Sequence, residues 1–205
     1  VARDGVLNRE GAKEAAKMIR SVSKLSNNGF DNFRVGVSCN CKPYTPYFPF
    51  AYHEGENGFS LALEIVDQFI EISENHASEG LEKIREHILY YLTQKLTEVN
   101  IAGVEIEKKT GFRYLGADAS LAPFPNGKTS VARLLEALGV EDFGSNGSLF
   151  ITAYLTDVIK TALARSGARN VGFNGVMYSV LEDDFLALRN RQKNYTMDSL
   201  ILYSA

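Results

Sequence analysis

His53 and its neighbour Glu54 are the two side chains of this sequence best suited to do chemistry together. A histidine can act as an acid, a base or a metal ligand near neutral pH, and an adjacent carboxylate can orient it or share a metal ion. The pair ends a loop dense in proline and aromatic residues, and loops of this kind often carry function. We predict both residues as catalytic; the alternative is a histidine that caps a helix or hydrogen-bonds within a packed loop.

Asp118 is a second candidate, because it ends a predicted strand of small and apolar residues. A buried carboxylate must be paired, hydrogen-bonded or bound to a metal. We predict Asp118 as a catalytic residue and metal ligand, and Ser120 as a substrate-binding residue. An Asx turn that opens the following proline-rich loop is an equal alternative for Asp118.

A third polar group follows the predicted strand over residues 171–180. Ser179 is predicted to bind substrate, and Glu182 and Asp183 are predicted to bind a divalent cation together with Asp118, since hard cations take oxygen ligands. The alternative is simpler: Glu182, Asp183 and Asp184 are the acidic start of a helix, where carboxylates are stabilising.

Asn40 and Tyr52 are predicted to bind substrate at the first strand end. Asn40 lies between Cys39 and Cys41, and their C-x-C spacing would place both thiols on one face of a strand. A redox pair usually shows C-x-x-C spacing, and a metal site would need further ligands. Two buried apolar thiols are therefore favoured.

The predicted elements alternate between strand and helix, which indicates an α/β fold with mainly parallel strands. Helices are predicted over 9–26, from about 57 or 60 to 72, from 78 to 96, and over 130–139, 148–167, 182–190 and from 196 onwards. Strands are predicted over 33–39, 104–108, 112–121 and 171–180. Sites in such folds gather where strands end, so we expect the three polar strand ends to open at a common mouth.

Composition narrows the class of protein. The 205 residues carry a net charge of −3, and 45% are hydrophobic and 23% charged, as in a globular domain with a real core. The sequence lacks the excess of positive charge that is typical of nucleic-acid-binding proteins. No apolar run reaches the ~20 residues that a membrane-spanning helix needs. With a charged N-terminal segment and only two cysteines, a single cytoplasmic domain over 1–205 is predicted. Because an apolar helical pattern runs to the last residue without a stop signal, we expect a piece of a longer polypeptide.

Five stretches together resemble the uncharacterised family known as domain of unknown function 711, or uncharacterised protein family 0210. They are PYFPFAYHEG (46–55), GADASLAPFP (116–125), FGSNGSLF (143–150), FNGVMYSVLED (173–183) and YTMDSLILYSA (195–205). The resemblance implies a fold similar to the pyruvate formate-lyase-like glycyl radical enzymes, a β/α barrel with a loop entering it. It implies fold and not chemistry, since these residues hold no convincing radical-glycine motif.

Two functions remain open from the sequence. The first is an enzyme that acts on a small polar metabolite at the strand-end pocket, with a divalent metal as the candidate cofactor. The second is a non-catalytic binding or regulatory homo-oligomer that uses loop aromatics such as Tyr47 and Phe48 as interface anchors. A small molecule or a second copy is the expected partner, and neither function involves nucleic acid or a membrane.

Overall fold

A computed structural model of the chain describes residues 1–42, 45–47, 50–52 and 55–203. The chain forms two compact units, Val1–Glu56 and Asn57–Ala205. The prediction of a single domain over 1–205 stays a prediction.

The smaller unit is built from short elements. Its elements are β1 (Ala2–Arg3), β2 (Val6–Leu7), α1 (Arg9–Val22), a 3₁₀ segment (Asn27–Arg34), β3 (Thr45–Tyr47) and β4 (Phe50–Tyr52). The pairs β1–β2 and β3–β4 are antiparallel. The predicted helix at 9–26 is confirmed over most of its length, and its first turn is capped by Asn8, which accepts a hydrogen bond from the Gly11 N–H at 2.9 Å.

The strand predicted over 33–39 is wrong. Its first residues continue the 3₁₀ segment, and Cys39 alone pairs, through an isolated parallel bridge to Ala2. The Ser26 hydroxyl accepts a hydrogen bond from the Asp31 N–H at 2.9 Å. Such local side-chain-to-backbone hydrogen bonds favour a turn over the pairing of a strand.

The larger unit combines strands with helices, which confirms the predicted α/β class, although most of its helices follow one another without a strand between them. Its elements are β5 (Gly58–Ala62), α2 (Val66–Asn75), a 3₁₀ turn (Ala77–Glu79), α3 (Leu81–Thr110), β6 (Arg113–Asp118), α4 (Val131–Ala137), α5 (Ser148–Ser166), α6 (Asp184–Arg191) and α7 (Met197–Tyr203). None of the described helices combines the length and the apolar character needed to cross a membrane.

Strand pairing in this unit is parallel. β5 lies beside β6, and two parallel bridges, Ala117 to Asn170 and Leu121 to Val176, bring a third segment to the other side of β6. Gly116 permits the close approach, since a Cβ there would lie 2.8 Å from the Arg169 carbonyl carbon. Each sheet of the described residues has two strands, so these residues form no closed barrel.

Three element predictions in this unit are corrected. The segment from 57 to 62 is the strand β5 and not a helix, because it pairs with β6. Residues 104–108 belong to the 30-residue helix α3, which ends at Gly111 in the left-handed conformation. The strand predicted over 171–180 is reduced to one isolated bridge at Val176, because Gly172 and Asn174 have φ angles of 82° and 51°.

The core of the larger unit lies between the parallel strands and the long helices. Its largest fully buried side chains are Tyr114, Phe69, Phe143, Ile88, Leu92, Leu96, Leu121, Leu134, Leu135, Leu155, Ile159 and Leu186. They fix α3 and α5 against β6, and so hold the residues that end β6 in a defined position.

Candidate functional site

The predicted site residues of the smaller unit are only partly described. His53 and Glu54 lie outside the described residues. Tyr52 pairs with Thr45 in the β3–β4 hairpin. Asn40 lines a cleft of the smaller unit, with φ at 52°, and its side-chain oxygen accepts the Gly5 N–H at 3.0 Å.

The prediction of two buried thiols is wrong. Cys39 is exposed and Cys41 is half-buried, and both are free cysteines. The predicted strand would have buried them, and the chain does not form it there.

Asp118 organises the end of β6. It is 4% exposed, and one carboxylate oxygen accepts hydrogen bonds from the Ser120 N–H at 2.9 Å and the Ser120 hydroxyl at 2.6 Å. The same oxygen accepts the Asn174 N–H at 3.2 Å, and the other carboxylate oxygen accepts the Phe173 N–H at 3.3 Å. Asn174 completes the junction by accepting the Ala119 N–H at 2.9 Å. The carboxylate is thus used to fasten the 173–176 segment to the strand end, as in the Asx-turn alternative.

Asp183 is the N-cap of α6, and its carboxylate also accepts hydrogen bonds from the start of α4. It is 1% exposed, and its Oδ1 accepts the Leu186 N–H of α6 at 2.9 Å and the Ser130 hydroxyl at 2.6 Å. Its Oδ2 accepts the Val131 and Ala132 N–H groups at the start of α4, at 2.8 Å and 3.2 Å. The predicted helix start is therefore confirmed, and one buried carboxylate joins two helix N-termini.

Glu182 and Ser179 lie together just before α6. Both are half-buried, and the backbone N–H of Glu182 donates to the Ser179 carbonyl at 3.1 Å. Burial raises the pKa of the Glu182 carboxyl, and a hydrogen bond from Ser179 partly opposes that rise. Among the described residues, Asp118, Glu182 and Asp183 do not form a group of three ligand atoms that could hold one ion.

A cavity of about 170 Å³ opens beside the end of β6. Its walls are the 173–176 segment that Asp118 fastens, Tyr203 of α7, and three side chains of α5, namely Thr152, Thr156 and Lys160. These three residues follow at intervals of four along the helix and therefore share one face. We name this cavity the strand-end pocket.

The strand-end pocket combines one cation with hydroxyl groups. Lys160 is exposed, and among the described residues it forms no ion pair. The Thr156 hydroxyl donates to the Thr152 carbonyl at 2.9 Å, and the Thr152 hydroxyl lies 2.5 Å from the hydroxyl of Tyr178. Burial raises the pKa of Tyr178, so that phenol stays neutral and adds no negative charge behind the pocket. The arrangement suits an anionic group on a small polar molecule.

The sequence reasoning missed this face of α5, because its apolar residues mark the helix as a core element. A signal was present in the repeat of Thr152, Thr156 and Lys160, which places three polar side chains along one face of a helix whose buried residues are mostly apolar. The pocket becomes visible only when the 173–176 segment is placed beside it.

A second cluster lies where α2 ends and α3 begins, and the sequence reasoning did not single it out. His76, Glu79 and His87 bring three possible ligand atoms within 4.8 Å of one another. The spacing His-x₂-Glu-x₇-His, which holds two of the three histidines of the chain, was the available signal. A hydrogen bond with His76 is the main cause that lowers the pKa of Glu79.

Comparison with known proteins gives the family. The family model described as "Uncharacterised ACR (DUF711)" matches residues 1–205. A UPF0210 protein of Pyrobaculum arsenaticum is 26% identical over 200 residues, which is 95% of this chain and 43% of that protein. UPF0210 proteins of Actinobacillus pleuropneumoniae and Sulfurisphaera tokodaii are also 26% identical, over 95% and 94% of this chain and 44% and 48% of their own lengths. The chain thus spans less than half the length of these relatives, and it belongs to the DUF711 family.

Proposed function

We propose that this protein binds a small anionic metabolite in the strand-end pocket and acts on it as an enzyme. The observation that supports the proposal best is Lys160, an ammonium group at the mouth of a cavity of about 170 Å³ with no ionic partner among the described residues. A cation in such a position attracts and orients a carboxylate or a phosphate.

The other residues that line the strand-end pocket indicate which groups the ligand carries away from its anionic end. The Thr156 hydroxyl donates its proton to the helix backbone, so its oxygen is an acceptor for a hydroxyl or amine of the ligand. Phe173, 40% exposed, and Tyr203 supply apolar surface. A short molecule with one anionic end and one donor group meets these requirements.

Parallel strand ends are where enzymes of α/β folds build their sites. In this proposal β5, β6 and the segment joined through Asn170 and Val176 are part of the barrel that the family resemblance implies. The other strands would come from parts of a longer polypeptide, within which residues 1–205 act as one domain. His53 and Glu54 stay candidate acid–base residues.

Asp118, Asp183 and Glu182 have different parts in the proposal. Asp118 shapes the pocket wall instead of reacting, because its carboxylate oxygens already accept four hydrogen bonds. Glu182 and Asp183 are not needed for the ligand. A cytoplasmic location and a homo-oligomeric state remain predictions, and Phe48, one of the two aromatics named for the interface, lies outside the described residues.

The test is a ligand screen with matched compounds. Small mono- and dicarboxylates and phosphomonoesters are compared with their neutral amides or alcohols by thermal shift, and compounds that raise the melting temperature are titrated by calorimetry. We expect the anions to bind and Lys160→Gln to weaken them by about tenfold or more, the value of one charge-assisted contact. Lys95→Gln, which removes an exposed lysine paired with Glu98, is the control and should bind normally.

Turnover separates an enzyme from a non-catalytic binding protein. A bound compound is incubated with the protein and followed by NMR. Conversion that Lys160→Gln abolishes supports the enzyme, whereas binding without conversion supports the binding protein. If no anion in the panel binds, or if Lys160→Gln binds as tightly as the parent protein, the strand-end pocket is not the functional site.

A further inference from the structure

We infer that His76, Glu79 and His87 form a zinc-binding site that ties the end of α2 to the start of α3. This site is separate from the strand-end pocket, and it uses two imidazole nitrogens and one carboxylate. Imidazole ligands suit Zn²⁺ and related transition metals, whereas Mg²⁺ and Ca²⁺ prefer sites built from oxygen alone.

Each of the three residues can place one ligand atom within 4.8 Å of the other two, and the two histidines contact different oxygens of Glu79. The Glu79 Oε1 is 2.5 Å from Nδ1 of His76, and its Oε2 is 3.4 Å from Nε2 of His87. A tetrahedral zinc ion places two of its ligand atoms about 3.4 Å apart. The second distance fits this value, and the first must open by about 1 Å as the ion replaces the shared proton.

The scaffold around the site holds its ligands in place. His76 follows the last turn of α2, and its backbone N–H donates to the Ile72 carbonyl at 3.2 Å. The start of α3 is fixed by Tyr154, whose hydroxyl donates to the Leu81 carbonyl at 2.7 Å. His87 adjoins the fully buried Ile88 in the same helix. Little reordering is therefore required of the backbone when an ion binds.

The side chains nevertheless remain within reach of an ion. The side chains of His76, Glu79 and His87 are 31%, 42% and 42% exposed. The two rings stack with centroids 3.7 Å apart and an interplanar angle of 17°, so one ring must turn about its side-chain bonds for both nitrogens to face the same ion. Zinc accepts a ligand set of two histidines, one glutamate and a water molecule in the fourth position. Glu79 lies in the 3₁₀ turn between the two helices.

The test is calorimetric titration of zinc into protein that has no histidine tag and has been treated with a chelator. We expect one zinc ion per chain, and no binding of Mg²⁺ under the same conditions. His87→Ala and Glu79→Gln should each weaken zinc by at least about 100-fold, because loss of a direct ligand exceeds the 10–100-fold effect of an outer-shell partner. Glu82→Gln, an exposed neighbour outside the cluster, should bind as the parent does.

A second measurement guards against misfolding. Circular dichroism without metal should be the same for all these variants, and Co²⁺ should give the intense visible bands of tetrahedral coordination in the parent protein and in Glu82→Gln alone. Absence of stoichiometric zinc binding by the parent protein would overturn the site. Zinc binding by His87→Ala or Glu79→Gln at parental affinity would overturn it as well, and the three residues would then be only a hydrogen-bonded clamp.

Discussion

Replacing Asp183 by alanine should destabilise the protein strongly, because this one buried carboxylate accepts hydrogen bonds from the first turns of two helices. The substitution leaves the N–H groups of Val131, Ala132 and Leu186 without an acceptor, and the Ser130 hydroxyl loses its partner at 2.6 Å. Water cannot replace the carboxylate easily, since Asp183 is 1% exposed.

The size of the effect follows from the hydrogen bonds that Asp183 accepts at the two helix starts. Removing an N-cap side chain costs about 0.5–2 kcal/mol, so a doubly used and buried cap should cost about 2–4 kcal/mol. That is a large part of the ~5–15 kcal/mol by which domains are stable, and it corresponds to a fall in melting temperature of roughly 5–15 °C.

Urea unfolding followed by circular dichroism measures this loss, since the chain has no tryptophan to report by fluorescence. Asp184→Ala is the matched control. It removes an exposed carboxylate from the first turn of α6, where it acts only through the helix dipole, and should cost about 0.3–1 kcal/mol. If Asp183→Ala costs no more than Asp184→Ala, the explanation from hydrogen bonds at two helix starts is wrong.

Three further predictions concern packing and pH. The buried Tyr114 hydroxyl has no hydrogen-bond partner among the described residues, so Tyr114→Phe should be neutral or raise the free energy of unfolding by about 1 kcal/mol. Gly103→Ala should lower the free energy of unfolding by about 1–2 kcal/mol, because the new Cβ would lie 2.5 Å from Tyr114 Cζ. An unchanged free energy of unfolding for this variant would contradict the prediction. Burial raises the pKa of Glu182 above its ordinary 4.5, so the folded protein holds that proton more tightly than the unfolded chain, and stability is lost as the pH rises from 4.5 through the raised value. Glu182→Gln should therefore be more stable than the parent near neutral pH and lose that advantage below pH 4.5, as urea titrations at several pH values would show.

Helix ends were the most predictable part of the fold. Helix starts were predicted at about 130 and within the acidic residues 182–184, and a helix end at 167, and α4, α6 and α5 begin or end within a residue or two of these positions. Capping depends on residues within one turn of the helix end, so the local sequence is sufficient to predict it. Strand β6 was predictable for a similar reason, as an apolar run that ends at a polar residue.

The partners of each segment were not predictable in the same way. The apolar stretch after Gly58 suits a buried helix or a buried strand equally, and pairing with β6 decides for the strand. Residues 104–108 were predicted as a strand, but the packing of α3 against α5 and β6 extends the helix through them.

The candidate sites also differ in what the local sequence could predict and what depended on packing. The sequence by itself determined that Asp118 and Asp183 would be polar groups at element ends, because position relative to a strand or helix end is a local property. Only the tertiary structure decided that both are consumed by hydrogen bonds, that Lys160 faces a cavity, and that His76 meets His87. Proximity between segments depends on how helices and strands pack, and that packing is set by the whole core at once.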